Sequence, residues 1–261
     1  MIRFLRIALL FVFPVLGALP APGNDLVPTG TLRATFLAGN PVQAVTDPNT
    51  GAINGPAADL GAELAQRLNV PLKMIGVPTV QAVLDSIKSG SADIGFIAFD
   101  PVRAVEVNFS QPYLLAHNSY VVLNGSPIQT TADIDRAGIR IGVTERDAAD
   151  FFLTRALKNA QIKRVPPGSI ELVTKMLVSG DIDAYATNRH RLTQLVERSA
   201  GVRLLPDNFY GVQQSIVVAK GSAALLHHVD QIIDDARKSG LIQKAIVGAR
   251  LQGVDVAPPR N

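Results

Sequence analysis

One short phrase is written twice in this chain: Ser89-Gly90-Ser91-Ala92-Asp93-Ile94 and, ninety residues on, Ser179-Gly180-Asp181-Ile182-Asp183-Ala184. Each copy follows a run with helical apolar spacing, Val80, Val83, Leu84 and Ile87 in the first, Ile170, Val173 and Leu177 in the second. Each then leads into a short apolar stretch of strand length. Glycine just past the last periodic residue is the usual left-handed helix stop, because without a Cβ it takes positive φ at no steric cost. Both phrases therefore read as helix end, tight turn, strand start, and the chain as two α/β lobes of similar design. Two lobes side by side leave a cleft, a preferred place for a small molecule.

A hydrophobic content of 47% over 261 residues supports a real core and excludes a disordered chain. The N-terminus carries Arg3 and Arg6, then an apolar or small stretch over 7–19, then Ala18, Ala21 and Gly23. That order is the pattern of a secretory signal peptide over 1–21, too short for a bilayer span of about 20 residues. Pro22 disfavours cleavage after Ala21, which makes Ala18 the better site. Loss of Arg3 and Arg6 with this leader takes the formal charge from +3 to +1, and the other basic residues are mixed among acids, so no nucleic-acid partner is expected. The absence of cysteine excludes disulfides, thiolate metal sites, a cysteine nucleophile and lipid attachment at an N-terminal cysteine. A soluble exported protein of this kind is expected in an enclosed compartment such as a periplasm.

Strands are expected at 32–37, 72–77 and 94–96, with a helix at 57–68, the second helix before the first Ser-Gly phrase, and a long Pro/Asn/Thr/Gly-rich loop at 40–55. The βαβαβ order predicts a mostly parallel sheet with helices on its faces. The pattern restarts with strands at 120–123 and 139–143, a helix at 147–159 and a strand at 162–165. A further strand at 214–218 and a helix carrying Leu225, Val229, Ile232 and Ala236 have no place in a simple tandem pair. They are expected to return to the first lobe. The expected architecture is α/β and two-lobed, with a discontinuous first lobe at 30–115 and 216–253, a second lobe at 116–215, two hinge crossovers near 116–120 and 211–215, and a mobile tail at 254–261.

Between the first strands and the first crossover stands Phe99-Asp100-Pro101-Val102-Arg103-Ala104-Val105-Glu106-Val107-Asn108-Phe109-Ser110-Gln111-Pro112-Tyr113. It resembles the family 3 periplasmic solute-binding proteins, the amino-acid receptors of ABC transporters with the type II periplasmic binding protein fold. Their first lobe carries a similar Ala-Asp-Ile-Gly strand, an Arg, and Asp-Phe-Ser-x-Pro-Tyr. The resemblance extends over 31–247, including Gly138-Ile139-Arg140-Ile141-Gly142-Val143 and Val218-Ala219-Lys220-Gly221-Ser222.

The resemblance implies that Arg103 grips a ligand carboxylate, a role suited to the planar guanidinium fork. The alternative for Arg103 is a surface pair with Asp100 or Glu106. It further implies a second anchor at the helix start Thr144-Glu145-Arg146-Asp147, where free backbone N–H groups face an anion. Thr144 and Asp147 also read as a capping pair, and the carboxylates of Glu145 and Asp147 repel an anion unless Arg146 offsets them. Three positions depart from the family: its acidic residue after the first strand matches Leu37, its covering aromatic matches Asn40, and its acidic ammonium partner matches Asn188. Asparagine accepts a hydrogen bond from ammonium without neutralising it. Glu145 could restore the charge, or it is a solvated helix-start carboxylate. Phe99 is a candidate aromatic wall on the cleft rim, whereas Phe36 reads as core. The four histidines do not converge, so no metal and no cofactor are expected.

The function implied is capture of a small carboxylate-bearing polar solute, an amino acid or a relative, by hinge closure, for delivery to a membrane ABC permease by a monomeric periplasmic protein that is not an enzyme. The alternatives are an enzyme similar to the cyclohexadienyl dehydratases, with Glu145 as general acid, and a ligand-sensing accessory protein.

Overall fold

The computed structural model describes residues 25–167 and 170–259, so the expected leader at 1–21 lies outside the described residues. In chain order the elements are β1 (Leu32–Leu37), β2 (Val45–Thr46), β3 (Ile53–Asn54), α1 (Pro56–Leu68), β4 (Leu72–Val77), α2 (Val80–Lys88), β5 (Ile94–Ala98) and β6 (Asn108–Leu123). Then come β7 (Arg140–Thr144), α3 (Ala148–Ala156), β8 (Gln161–Val165), α4 (Ile170–Val178), β9 (Ala184–Asn188), α5 (Arg189–Arg198) and β10 (Val202–Leu204). The chain closes with β11 (Tyr210–Val218), α6 (Ala223–Lys238), α7 (Leu241–Gly248) and β12 (Val254–Val256).

The two Ser-Gly phrases end α2 and α4, with Gly90 at φ 69° and Gly180 at φ 73°. Each is followed by an aspartate that ties its strand to the neighbouring one. The Arg33 backbone N–H and Nε donate to Asp93 Oδ2 at 2.8 and 3.1 Å, and Nη2 donates to Oδ1 at 2.7 Å. Arg140 treats Asp183 in the same way, at 2.7, 3.0 and 2.9 Å. The internal likeness of the lobes therefore reaches individual atoms.

Each lobe is built on three parallel strands, β4-β1-β5 and β8-β7-β9. They join in one sheet of order β4-β1-β5-β11-β6-β9-β7-β8, because β6 and β11 are antiparallel strands that run through both. The crossovers are thus paired strands rather than loops. Pro112 lies opposite Ser215 and has no N–H to give, and the β6–β11 register shifts there. Ser110 repairs the ladder, its Oγ accepting the Ile216 N–H at 2.9 Å.

In the first lobe α1, α6 and α7 cover one face of the sheet. Leu60, Leu64, Val229, Ile232 and Ile233 meet Leu32, Phe36, Ile94 and Phe96 in one continuous core. On the other face α2 packs Val83, Leu84 and Ile87 against Ile97 and Val217. The second lobe divides its core about the sheet, α3 against Ile141, Val143 and Ala184, and α4 with α5 against Val121, Ile182 and Tyr185.

Three expectations need correction. The 40–55 loop carries the small β2–β3 pair and a buried segment, Val42, Gln43 and Ala44. Gln43 holds it: Oε1 accepts the Leu37 N–H at 2.9 Å and Nε2 donates to Gln214 Oε1 at 3.2 Å. Gly55, at φ 125°, lets this loop lie against the start of α1, where a Cβ would stand 3.0 Å from the Gln43 carbonyl. The tail expected to be mobile forms β12 through residue 256, paired with β6 at Leu114–Ala116. Ala257 is buried and its N–H donates to the Tyr113 carbonyl at 3.2 Å. Finally, α3 is capped by Asp147, whose side chain accepts from Ala148 N, and not by Thr144, which ends β7.

Candidate functional site

The C-terminal ends of β1 and β5 face the turn after β7 and the end of β9 across the gap between the lobes. Arg103 begins a one-turn 3-10 helix after β5 and is 3% exposed. Its Nη1 donates to the Ala98 carbonyl at 2.9 Å, and its Nη2 crosses the gap to the Arg146 carbonyl at 2.9 Å. The Phe151 ring lies 5.1 Å from the guanidinium carbon. Neither carboxylate proposed as a surface partner takes it: Asp100 pairs with Arg155 at 3.0 Å and Glu106 with Lys88. Among the described residues Arg103 makes no ion pair within 4.0 Å. Burial lowers its pKa, opposed by the charges of Asp147 and Asp100 and helped by Arg146.

The gap is lined by Leu37, Asn40, Gln43, Val80, Ala98 and Arg103 from the first lobe, by Ala116, Asn118, Val212 and Gln214 on the crossing strands, and by Asp147, Ala148 and Asn188 from the second. It encloses a cavity of about 20 Å³. That is room for a water, so a solute of several heavy atoms is admitted only if the walls part. Across the gap, Asn188 Nδ2 donates to Asn40 Oδ1 at 3.4 Å and Arg146 Nη2 to Gln81 Oε1 at 2.9 Å.

Of the residues singled out in the sequence, Arg103, Asn40 and Asn188 converge on this cavity, together with Leu37. The others do not line it. Phe99 is half-buried edge-on against Phe109, with ring centroids 5.1 Å apart. Thr144 is buried and its hydroxyl bonds Tyr185 Oη at 2.8 Å. Glu145 is exposed, and Arg146, outside the lining, gives its carbonyl to Arg103 and its side chain to Gln81. Arg146 holds φ 59°, a strained conformation for a residue with a side chain, fixed by the bond from its N–H to Asp150 Oδ2 at 2.9 Å. Asp150 is itself buried and paired with Arg164 at 2.9 Å. The residues missed are the amides Gln43, Asn118 and Gln214. Of the expected anchor segment, Asp147 lines the cavity, although the sequence marked it only as part of that segment and as a cap.

A second hollow of about 380 Å³ lies between α5, Pro41 and Val45 of the loop after β1, and residues 249–252. There His190 Nδ1 accepts the Gln252 N–H at 3.3 Å, a further tie between lobes.

The fold has counterparts among solved structures. An ancestral arginine-binding protein bound to arginine is 25% identical and superposes with a TM-score of 0.70, over 84% of this chain and 97% of its own. An ancestral amino-acid-binding protein described as a precursor of cyclohexadienyl dehydratase is 23% identical, with a TM-score of 0.69 over 84% and 95%. In sequence, a probable histidine-binding protein of Neisseria gonorrhoeae is 22% identical over 200 residues, 74% of each chain. The family model of the bacterial extracellular solute-binding proteins, family 3, matches residues 34–247, most of the chain. A two-lobed α/β molecule with a buried guanidinium and ringed amides in its cleft, this chain belongs to the bacterial extracellular solute-binding proteins of family 3.

Proposed function

We propose that the interlobe cleft captures a small solute through a carboxylate docked on Arg103, and that the second lobe closes over it. The observation that carries this reading is the buried guanidinium with two carbonyl partners and no carboxylate. Desolvating a cation costs several kcal/mol unless a counter-charge is supplied, and an anionic ligand group supplies it. On this reading the lobes are 30–115 with 216–253 and 116–215, hinged where β6 and β11 cross. The ligand touches both walls only when they close, so its binding energy shifts the population toward closure.

The relatives support an amino acid or a close analogue as the solute and an ABC permease as the partner; on the same reading the protein acts as a periplasmic monomer and carries out no reaction. A dehydratase reading needs a general acid at the leaving group. Glu145, the residue first considered, is exposed and outside the cavity lining, which favours binding alone. The test is a thermal-shift screen of the mature chain and Arg103→Ala against L-amino acids, 2-oxo acids, dicarboxylates and prephenate, with prephenate turnover followed in the ultraviolet. A ligand raises the midpoint by mass action. The expected result is selective stabilisation of the wild type, and a tenfold to hundredfold weaker Kd in Arg103→Ala, about 1.4 to 2.7 kcal/mol. An affinity unchanged by the substitution would overturn the role of Arg103, and turnover would overturn the purely binding reading.

A further inference from the structure

Charges and amides are unevenly divided in the cleft. The position expected to receive a ligand ammonium, Asn188, is already committed: its Oδ1 caps α5 by accepting the Arg191 N–H at 2.9 Å, and its Nδ2 donates to Asn40. Asp147 is the one carboxylate among the lining residues, and it belongs to the wall opposite Arg103. One of its oxygens accepts the Ala148 N–H at 2.7 Å; the other is 3.9 Å from Arg191 Nη1, at the outer limit of an ion pair. The rest of the polar lining is amide: Asn40, Gln43, Asn118, Asn188 and Gln214. Amides offer donors and acceptors together but neutralise nothing.

We infer that Asp147 is a specificity-determining residue: it receives the cationic group of a zwitterion whose carboxylate lies on Arg103, and the amide-lined remainder admits only an uncharged polar side chain. This rests on the carboxylate-docking reading above. One cation and one anion in the lining balance a zwitterion. A third ligand charge, such as a second ammonium or a guanidinium, enters a desolvated space with no counter-charge, where it is costly. A carboxylate with no ammonium beside it leaves Asp147 facing an anion.

The test is calorimetric titration of the mature full-length protein with three probes: L-glutamine, its des-amino analogue glutaramate, and L-arginine. The variants are Asp147→Asn, which keeps a good helix cap, and Arg103→Ala. Wild type is expected to bind L-glutamine at least about tenfold more tightly than glutaramate or L-arginine. Asp147→Asn should weaken L-glutamine by about tenfold or more and leave glutaramate unchanged or tighter, a coupling that a general structural defect would not produce. The inference is overturned if Asp147→Asn changes both probes equally or neither, if L-arginine binds as tightly as L-glutamine, or if none of the three binds. Glutaramate binding that depends on Arg103 but gains nothing from an added ammonium sinks this inference and leaves the docking reading standing. Affinities indifferent to Arg103→Ala sink the docking reading instead.

Discussion

The two lobes share a strand triplet, a helix stop and an arginine–aspartate fork, yet they enter the cleft by different means. In the first lobe β1 is followed by a long loop whose buried Gln43 carries an amide into the lining. In the second, β7 is followed by the three-residue turn Glu145-Arg146-Asp147, which brings a helix start and a carboxylate to the same space. The long loop is organised by a neutral side chain and the short turn by a buried, charged one, Asp150. A duplicated frame thus leaves the chemistry of each wall free to diverge, because Gln43, Arg103 and Asp147 sit in the connections that follow strands, whereas the strands themselves bring only the amides Asn118, Asn188 and Gln214 to the polar lining.

The sharpest way to break this comparison is at the two organising side chains. Asp150→Ala removes acceptors for the Arg146 N–H, Thr154 and Arg164 at once, and should cost about 3 kcal/mol in denaturant unfolding. Gln43→Ala strands the Leu37 N–H and should cost less, about 2 kcal/mol. Equal losses would mean that charge is irrelevant to how the turns are held. The glycines come next. Gly95 in the first lobe and Gly142 in the second sit on different strands of their triplets, each beside a larger residue, Thr35 and Tyr185. A Cβ on Gly95 would lie 2.6 Å from Val83 Cγ1, and one on Gly142 would lie 2.7 Å from Ile182 Cδ1. Alanine at either should lower stability by about 1–3 kcal/mol through overpacking, measured as a fall in Tm. A neutral result at one site would show that its lobe repacks more freely.

The forks give a smaller contrast. Asp93 is 8% exposed and Asp183 29%, so Asp93→Asn should cost about 2 kcal/mol and Asp183→Asn less, because solvent screens the second pair. The reverse order in parallel urea titrations would refute the ranking by burial. The least effect is expected at His190, whose pKa is lowered by burial, with Glu197 acting in the opposite sense. The unfolded chain takes up this proton from about pH 6.5, before the folded chain does. Its contribution to stability is therefore full above that pH and falls as the pH drops through the lowered folded value. A proton on Nδ1 also displaces the Gln252 N–H. His190→Gln should flatten the slope of stability against pH below 6.5, and an unaltered slope would assign it to other groups.

Much of the frame was legible in the sequence, because β1 and β4 are bounded by glycine, proline and asparagine and both helix stops by glycine. What escaped was held by distant partners. β6 reads as broken because Pro112 and its polar neighbours interrupt the apolar run, and only pairing with β11, about a hundred residues away, makes it one strand. α5 escaped through its composition, RHRLTQLVER, in which few apolar positions carry the buried face. β12 is too short to show a period, and the prolines after it suggested a loose end. In the site, Arg103 was legible from its motif. Asp147 was obscured by a capping pattern that suited Thr144 as well, until the positive φ of Arg146 carried the cap to Asp147. The Gln43–Gln214 contact joins residues that no local pattern relates.

The two crossings are hydrogen-bonded to each other along most of β11 and further clasped by β12. A hinge made in this way flexes as a ribbon under torsion, with its ladder intact, and does not open as a pair of slack tethers. Backbone amides of β6 and β11 should therefore exchange with deuterium only on the slow timescale of global unfolding, while those of the Glu145-Arg146-Asp147 turn exchange at the pace of opening. A single exchange experiment would then read the molecule's two clocks side by side.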